Sequence, residues 1–276
     1  MSSYGQLINR AITASVLALL ALLGLYFLPN VLWAALLLIP LAVVSLEVGR
    51  LFSWTSRGRI VLVILSIFFC GISYVAPWVT SYGFAQIVVI LSIASLLFWL
   101  FFVPFFLRIR VSVTSRYLQA AIYAVIFLPT WASLVALQNR PDLAALAIFA
   151  VCLVDTSGFV FGQWMGRHQL AKSISPGKTI EGVIGGVITV FAFGVLLLWV
   201  GGVGGLGAIP ILTIFVTAVG FTILCVLGDL VESHLKRLAG IKNSGTILPG
   251  HGGLYDRIDG MTAVLPTVFL VTHWML

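Results

Sequence analysis

The chain has 276 residues, 61% of them hydrophobic and only 8% charged, with a formal net charge of +7. That is far more apolar length than the core of a soluble domain uses, and it comes in runs near the ~20 residues that a bilayer-spanning helix needs, which excludes a soluble globular protein. Cys70, Cys152 and Cys225 each lie in an apolar segment without metal-ligand spacing, which argues against a disulfide framework or a zinc site.

The fold class this predicts is all-α: a polytopic helical membrane protein, one domain over residues 1–276. In chain order, nine transmembrane helices are expected at 11–29, 31–47, 60–77, 83–107, 117–138, 142–164, 182–201, 206–228 and 260–276. The second and the last are short. The first is too long, and too closely followed by another, to read as a cleaved signal peptide. Basic residues fall in alternate loops: Arg10; Arg50, Arg57 and Arg59; Arg108, Arg110 and Arg116; Arg167, Lys172 and Lys178; Lys236, Arg237, Lys242 and Arg257. Of the 15 Lys and Arg, that leaves Arg140 alone on the opposite side. The positive-inside rule makes the basic side cytoplasmic, with the N-terminus inside and the C-terminus outside. The net charge is thus a topology signal. It also suits membrane lipid head groups and phosphorylated substrates, and no nucleic-acid partner is expected.

Polar residues interrupt this pattern at three places. Asp155 sits inside the sixth span, in Leu-Val-Asp155-Thr156-Ser157-Gly158. An ionisable group is costly beside hydrocarbon, so Asp155 marks either a polar cavity open to the cytoplasm or a protonated acid bonded within the bundle. The loop Arg167 to Gly182 follows, with Lys172, Ser175-Pro176-Gly177-Lys178-Thr179 and Glu181. Ser175-Pro176-Gly177 reads as a turn, Thr179 or Ser175 as a cap for the seventh helix, and Lys178 with that helix's N-terminus as a phosphate holder. An ordinary basic loop with a helix cap has the same composition. A Walker A loop would need glycine where this chain has Lys172, so a nucleotide-hydrolysing P-loop is rejected. Residues 202–207 match a GxGxxG string, but they lie in a short outside loop with no strand before and no acid after, and read as a flexible turn.

The third place is residues 229–259, where four acids and four bases crowd between apolar runs. If the eighth helix continues past the membrane, Asp229, Glu232, Ser233, Lys236 and Arg237 share one face. Asp256 and Asp259, three apart, share a face at the start of the last helix. Between them, His251, Gly252 and Gly253 form a turn whose backbone N–H groups can approach a ligand closely. Hard carboxylate oxygens without cysteine suit Mg²⁺, and Mg²⁺ flanked by Lys and Arg suits a polyphosphate. A solvated, ion-paired helix face is the plainer alternative.

Ser233-x-x-Lys236-Arg237-x4-Lys242-Asn243 followed by His251-Gly252-Gly253-x-x-Asp256-Arg257-x-Asp259 resembles the C-terminal signature of the phosphatidate cytidylyltransferases, the CDP-diacylglycerol synthases. Asp155-Thr156, Ser175 to Thr179 with Glu181-Gly182, and Gly228-Asp229 are similar to other blocks of that family. The match covers about residues 150–265, placing the catalytic half at 142–276 behind N-terminal spans over 11–138. The resemblance implies an enzyme of phospholipid biosynthesis in a bacterial inner membrane that joins CTP and phosphatidate into CDP-diacylglycerol and pyrophosphate. On that reading Asp229, Lys236, Arg237, Asp256 and Asp259 are catalytic. Asp155, Ser175, Lys178, Thr179, Ser233, His251, Gly252, Gly253 and Arg257 bind substrate. Asp229, Asp256 and Asp259 hold Mg²⁺, one ion or two, and a homodimer stays open. The family's usual aspartate after the lysine is here Asn243, which keeps an acceptor but loses a charge, so a second-shell or structural position is expected for it. A diverged enzyme for another lipid phosphate is a further reading. An ion or solute transporter is another, although no internal repeat supports it.

Overall fold

The computed structural model describes residues 18–75, 83–109, 113–200, 209–245 and 252–275. His251 with Pro249-Gly250, the string at 202–207, Arg10 and Arg110 lie outside the described residues.

In hydrocarbon every backbone N–H and C=O must be satisfied within its own segment, so the apolar runs become helices. They are α1 (Ala18–Phe27), α2 (Asn30–Leu36), α3 (Leu38–Leu51), α4 (Ser56–Val75), α5 (Phe84–Leu97), α6 (Val103–Ile109), α7 (Arg116–Leu137), α8 (Pro141–Met165), α9 (Ile180–Trp199), α10 (Ile211–Leu238) and α11 (Tyr255–Met275). A π-helical turn, Phe98–Phe102, joins α5 to α6. Among the described residues seven stretches are long and apolar enough to cross a bilayer: Asn30–Leu51, Ser56–Val75, Phe84–Ile109, Arg116–Leu137, Pro141–Met165, Ile180–Trp199 and Ile211–Leu238. The shorter α1 and the charged-ended α11 stand where the first and ninth spans are expected.

α7 is the hub, with 67% of its apolar window buried against 22–39% for the other spans. Interhelical hydrogen bonds, each contributing about 0.6 kcal/mol in such a setting, tie neighbours to it. The Tyr123 hydroxyl meets Ser45 Oγ at 2.6 Å and Ser66 Oγ at 2.9 Å, joining α3, α4 and α7. At the end away from the basic loops, Asn30 Nδ2 donates to Gln138 Oε1 (2.8 Å) and Tyr74 donates to Asn30 Oδ1 (2.8 Å).

Two helix crossings position the polar residues. A Cβ on Gly182 would lie 2.6 Å from the Gly158 carbonyl, so small residues let α9 lie against α8. At the second crossing, a Cβ on Gly228 would strike the Asp259 carbonyl, and one on Gly260 would lie 2.6 Å from Cys225 Sγ. That contact lays α10 against α11 with Asp229 and Asp259 beside it.

Length does the rest. α10, at 28 residues, is about 42 Å long and outruns a hydrocarbon core of about 30 Å, so its charged last turns emerge on the basic side.

Between α8 and α9 the chain forms an antiparallel hairpin, β1 (Gln169–Ala171) and β2 (Ser175–Thr179), with Gln169 opposite Thr179 and Ala171 opposite Ser175. This corrects the turn expected at Ser175-Pro176-Gly177: those residues belong to β2, and the reversal lies at 172–174, where Ile174 N–H donates to the Ala171 carbonyl at 3.0 Å. Pro176 is tolerated because both strands of a two-stranded ribbon are edges. Such a ribbon is marginal alone, and neighbours hold this one. Arg237 Nε donates to the Ile174 carbonyl at 3.3 Å, while Glu181 on α9 takes His168 Nδ1 at 2.6 Å and the His168 N–H.

Candidate active site

Four elements meet at the basic end: α8, the hairpin, α10 and the start of α11. On α10 the i, i+3 spacing puts Asp229 and Glu232 on one face, and the crossing at Gly228 brings Asp259 of α11 against them. One ligand oxygen from each of Asp229, Glu232 and Asp259 lies within 4.8 Å of the others. Glu232 is 1% exposed and Asp259 9% exposed. Acids packed this way repel one another and need compensating cations.

Two lysines supply part of that compensation. Lys178, on β2, reaches across to pair with Asp229. Burial disfavours the Lys178 charge, but the adjacent Asp229 outweighs it and holds the ammonium's pKa above its ordinary value. Lys236 lies 2.6 Å from Glu232 Oε2 and 2.9 Å from Asp256 Oδ1. Among the described residues Asp259 has no ion pair, and Glu232 Oε1 is buried without a hydrogen-bond partner.

Asp256, expected among the metal ligands, is engaged elsewhere. Its Oδ1 takes Lys236, and its Oδ2 accepts the N–H groups of Ser244 (3.2 Å) and Gly253 (2.9 Å). Burial works against its charge, but the neighbouring Glu232 carboxyl first, then Lys236 and the Gly253 N–H, lower its pKa to about 2. Glu232 takes its place in the converging set. The Gly253 N–H is therefore spent inside the loop, whereas Gly252, at φ +86°, supplies the left-handed bend that leads into it.

The remaining residues fall around this core. Ser233 Oγ donates to Asp229 Oδ1 at 3.2 Å and orients that carboxylate. Thr179 caps α9, its hydroxyl accepting the Gly182 N–H at 3.1 Å, while Ser175 sits one strand residue past the reversal. Asp155 lies deeper along α8, 3.7 Å from Cys225 Sγ and within electrostatic range of Lys178, Asp229 and Arg257. Arg237 faces the hairpin and Arg257 is exposed at the rim. Asn243 is exposed beside Gly252, outside the carboxylate cluster.

One residue at this end escaped the sequence reading. Glu47 on α3 is 0% exposed and accepts hydrogen bonds from Ser244, Leu254 and Tyr255. A signal existed: it is one of eight acids in the chain and sits in an apolar run. It falls at the last position of the span expected over 31–47.

Chemically, a nest of carboxylates flanked by two lysines at a membrane edge can hold a hard cation and a polyphosphate together. The cytidylyltransferase family model matches residues 8–275. A phosphatidate cytidylyltransferase of Pseudomonas aeruginosa is 31% identical over 273 residues, 96% of each chain. One of Staphylococcus saprophyticus is 45% identical over 121 residues, so this chain spans 45% of that relative's length. One of Haemophilus influenzae is 39% identical over 116 residues, or 42% of this chain and 40% of that one.

Proposed function

The chain belongs to the cytidylyltransferase family, and from that we infer that it is a membrane enzyme transferring the cytidylyl group of CTP to phosphatidate, giving CDP-diacylglycerol and pyrophosphate. The observation that carries this reading is the convergence of Asp229, Glu232 and Asp259 between Lys178 and Lys236 at the end of a membrane helix. In the reaction, an oxygen of the lipid phosphate attacks the α-phosphorus of CTP. A new P–O bond forms as the bond from the α-phosphorus to the bridging oxygen breaks, and that oxygen leaves with pyrophosphate. No proton has to move, so positioning and charge neutralisation carry the rate.

The donor set fits a resident Mg²⁺: three carboxylates in reach of one point, one oxygen buried and unpaired, and no soft ligand among them. Asp229, Glu232 and Asp259 would hold the ion, which when bound screens the triphosphate and polarises the reacting phosphoryl group. Lys178 and Lys236, now neutralising acids, lie where they can turn to phosphate oxygens as substrate enters. Arg257 and Arg237 extend the cationic rim toward anionic lipid. Asp155 closes the floor and keeps it polar. Asp256 acts as a brace, holding Lys236 and the glycine turn, and Asn243 stands outside the metal set. The concentration of cations at this end supports a cytoplasmic site, with the N-terminus inside and the C-terminus outside.

The test is turnover by the purified full chain in lipid nanodiscs containing phosphatidate, with Mg²⁺ and α-labelled CTP. Label should move into lipid with one pyrophosphate released per transfer. Transfer only to another lipid phosphate would keep the chemistry and change the acceptor. Ion flux in liposomes without CTP consumption would replace the reading with a transporter.

A further inference from the structure

Glu47 lies on α3, one turn before that helix ends at Leu51, in the half of the chain that supplies none of the site's charges. A fully buried acid needs partners, and those it has come from both flanks of residues 246–251. Ser244 Oγ donates to Oε2 at 3.1 Å, the Tyr255 N–H to Oε2 at 2.9 Å and the Leu254 N–H to Oε1 at 2.9 Å. Asp256 grips the same two arms through the N–H groups of Ser244 and Gly253. Among the described residues no lysine, arginine or histidine pairs with Glu47.

Two glycines leave room for this carboxylate. A Cβ at Gly245 would strike Glu47 Oε1, and one at Gly253 would lie 2.8 Å from Oε2. Leu254 and Tyr255 bring N–H groups left without helical partners at the start of α11, where a negative group is favoured. Three donors aimed at two oxygens use this side chain as an acceptor alone. A glutamine of the same size would turn an NH₂ toward one of them.

We propose that Glu47 is a positioning residue of the reaction. It is the clasp by which the N-terminal half fixes 244–245 and 253–255, and through them orients Asp256 on Lys236 and Asp259 beside Asp229 and Glu232. The proposal rests on the cytidylyl-transfer reading. Glu47 acts through Asp256 and the first turn of α11, so its loss lowers kcat and leaves lipid binding alone.

The test compares wild type with Glu47→Gln as full chains in nanodiscs. Expected are a kcat lower by about 10–100-fold, the cost typical of supporting groups around a metal site, an unchanged KM for phosphatidate, and a fully folded protein at the assay temperature. Deuterium uptake in the peptide covering 252–260 should rise while uptake in α7 stays fixed. In an Asp256→Asn background, Glu47→Gln should cost little more, because residues acting as a unit are not additive. Wild-type kcat in Glu47→Gln, a loss that tracks the unfolded fraction, or full additivity with Asp256→Asn would overturn the proposal. Should Glu47→Gln fail to fold, Ser244→Ala removes one donor and should give a smaller kcat loss of the same kind; no loss overturns the clasp. If wild type makes no CDP-lipid, the functional reading falls, and unchanged uptake at 252–260 separately removes the clasp.

Discussion

Where a charged residue at the basic end is paired, its partner decides what it can do. Lys178 is the sharpest case: it comes from a hairpin, not a helix, and pairs with Asp229 from across the site. Removing it leaves Asp229 crowded by other carboxylates and takes away a phosphate-binding cation. Lys178→Ala should therefore lower kcat by about 100–1000-fold, the cost of losing one preorganised charge-stabilising group, and steady-state rates with CTP varied will show it. A loss below threefold would place Lys178 outside the chemistry. Residue types were largely legible in the sequence, because acids beside hydrocarbon are conspicuous. Which acid does what was not. Asp256 shares a motif with Asp259, yet it is turned away by two backbone N–H groups, while Glu232, buried at 1% exposure, takes the converging position. Periodicity gives the face of a helix and not the rotation of a loop against it.

At the scale of elements, the crossing of α10 and α11 sets the distance between acids. Nothing larger than glycine fits at 228, because a Cβ there meets the backbone of Asp259. Gly228→Ala should cost about 1–3 kcal/mol of stability by overpacking and, by moving Asp259 through its backbone, about 100-fold in rate. The checks are a thermal melt in detergent and CDP-lipid turnover on the same preparation; wild-type activity in the variant would detach the crossing from catalysis. The helices themselves were readable, since hydrophobic length and the alternation of basic loops both report on the bilayer. The hairpin was not, because Ser-Pro-Gly-Lys-Thr has the composition of a turn and becomes a strand only by pairing with Gln169–Ala171 and docking on Arg237. Tertiary contact overrode local preference there.

Across the whole molecule, the N-terminal half is more than a hydrophobic anchor. α7 carries the packing, and α3 sends Glu47 to partners 197 to 208 residues away in sequence. No pattern along the chain announces a contact of that span, so the part of the site built by the N-terminal spans stayed hidden while the C-terminal signature stood out. The two ends of the bundle also differ in kind, with amide and hydroxyl networks and the lone acid Asp142, bonded by Tyr26, at one and the carboxylate and lysine cluster at the other. That polarity is what a transfer reaction between a water-soluble nucleotide and a membrane lipid requires on one face only.

We read the converging carboxylates as the catalytic centre, and among them Asp259 is the one that makes no ion pair with a described residue. The most direct measurement is the Mg²⁺ dependence of CDP-lipid formation by wild type and by Asp259→Asn, a change that keeps size and removes charge. Wild type should saturate with Mg²⁺, whereas Asp259→Asn, with an unchanged thermal midpoint, should be slower by at least about 100-fold and need more Mg²⁺. An Asp259→Asn protein with the wild-type rate and the wild-type Mg²⁺ curve would contradict it.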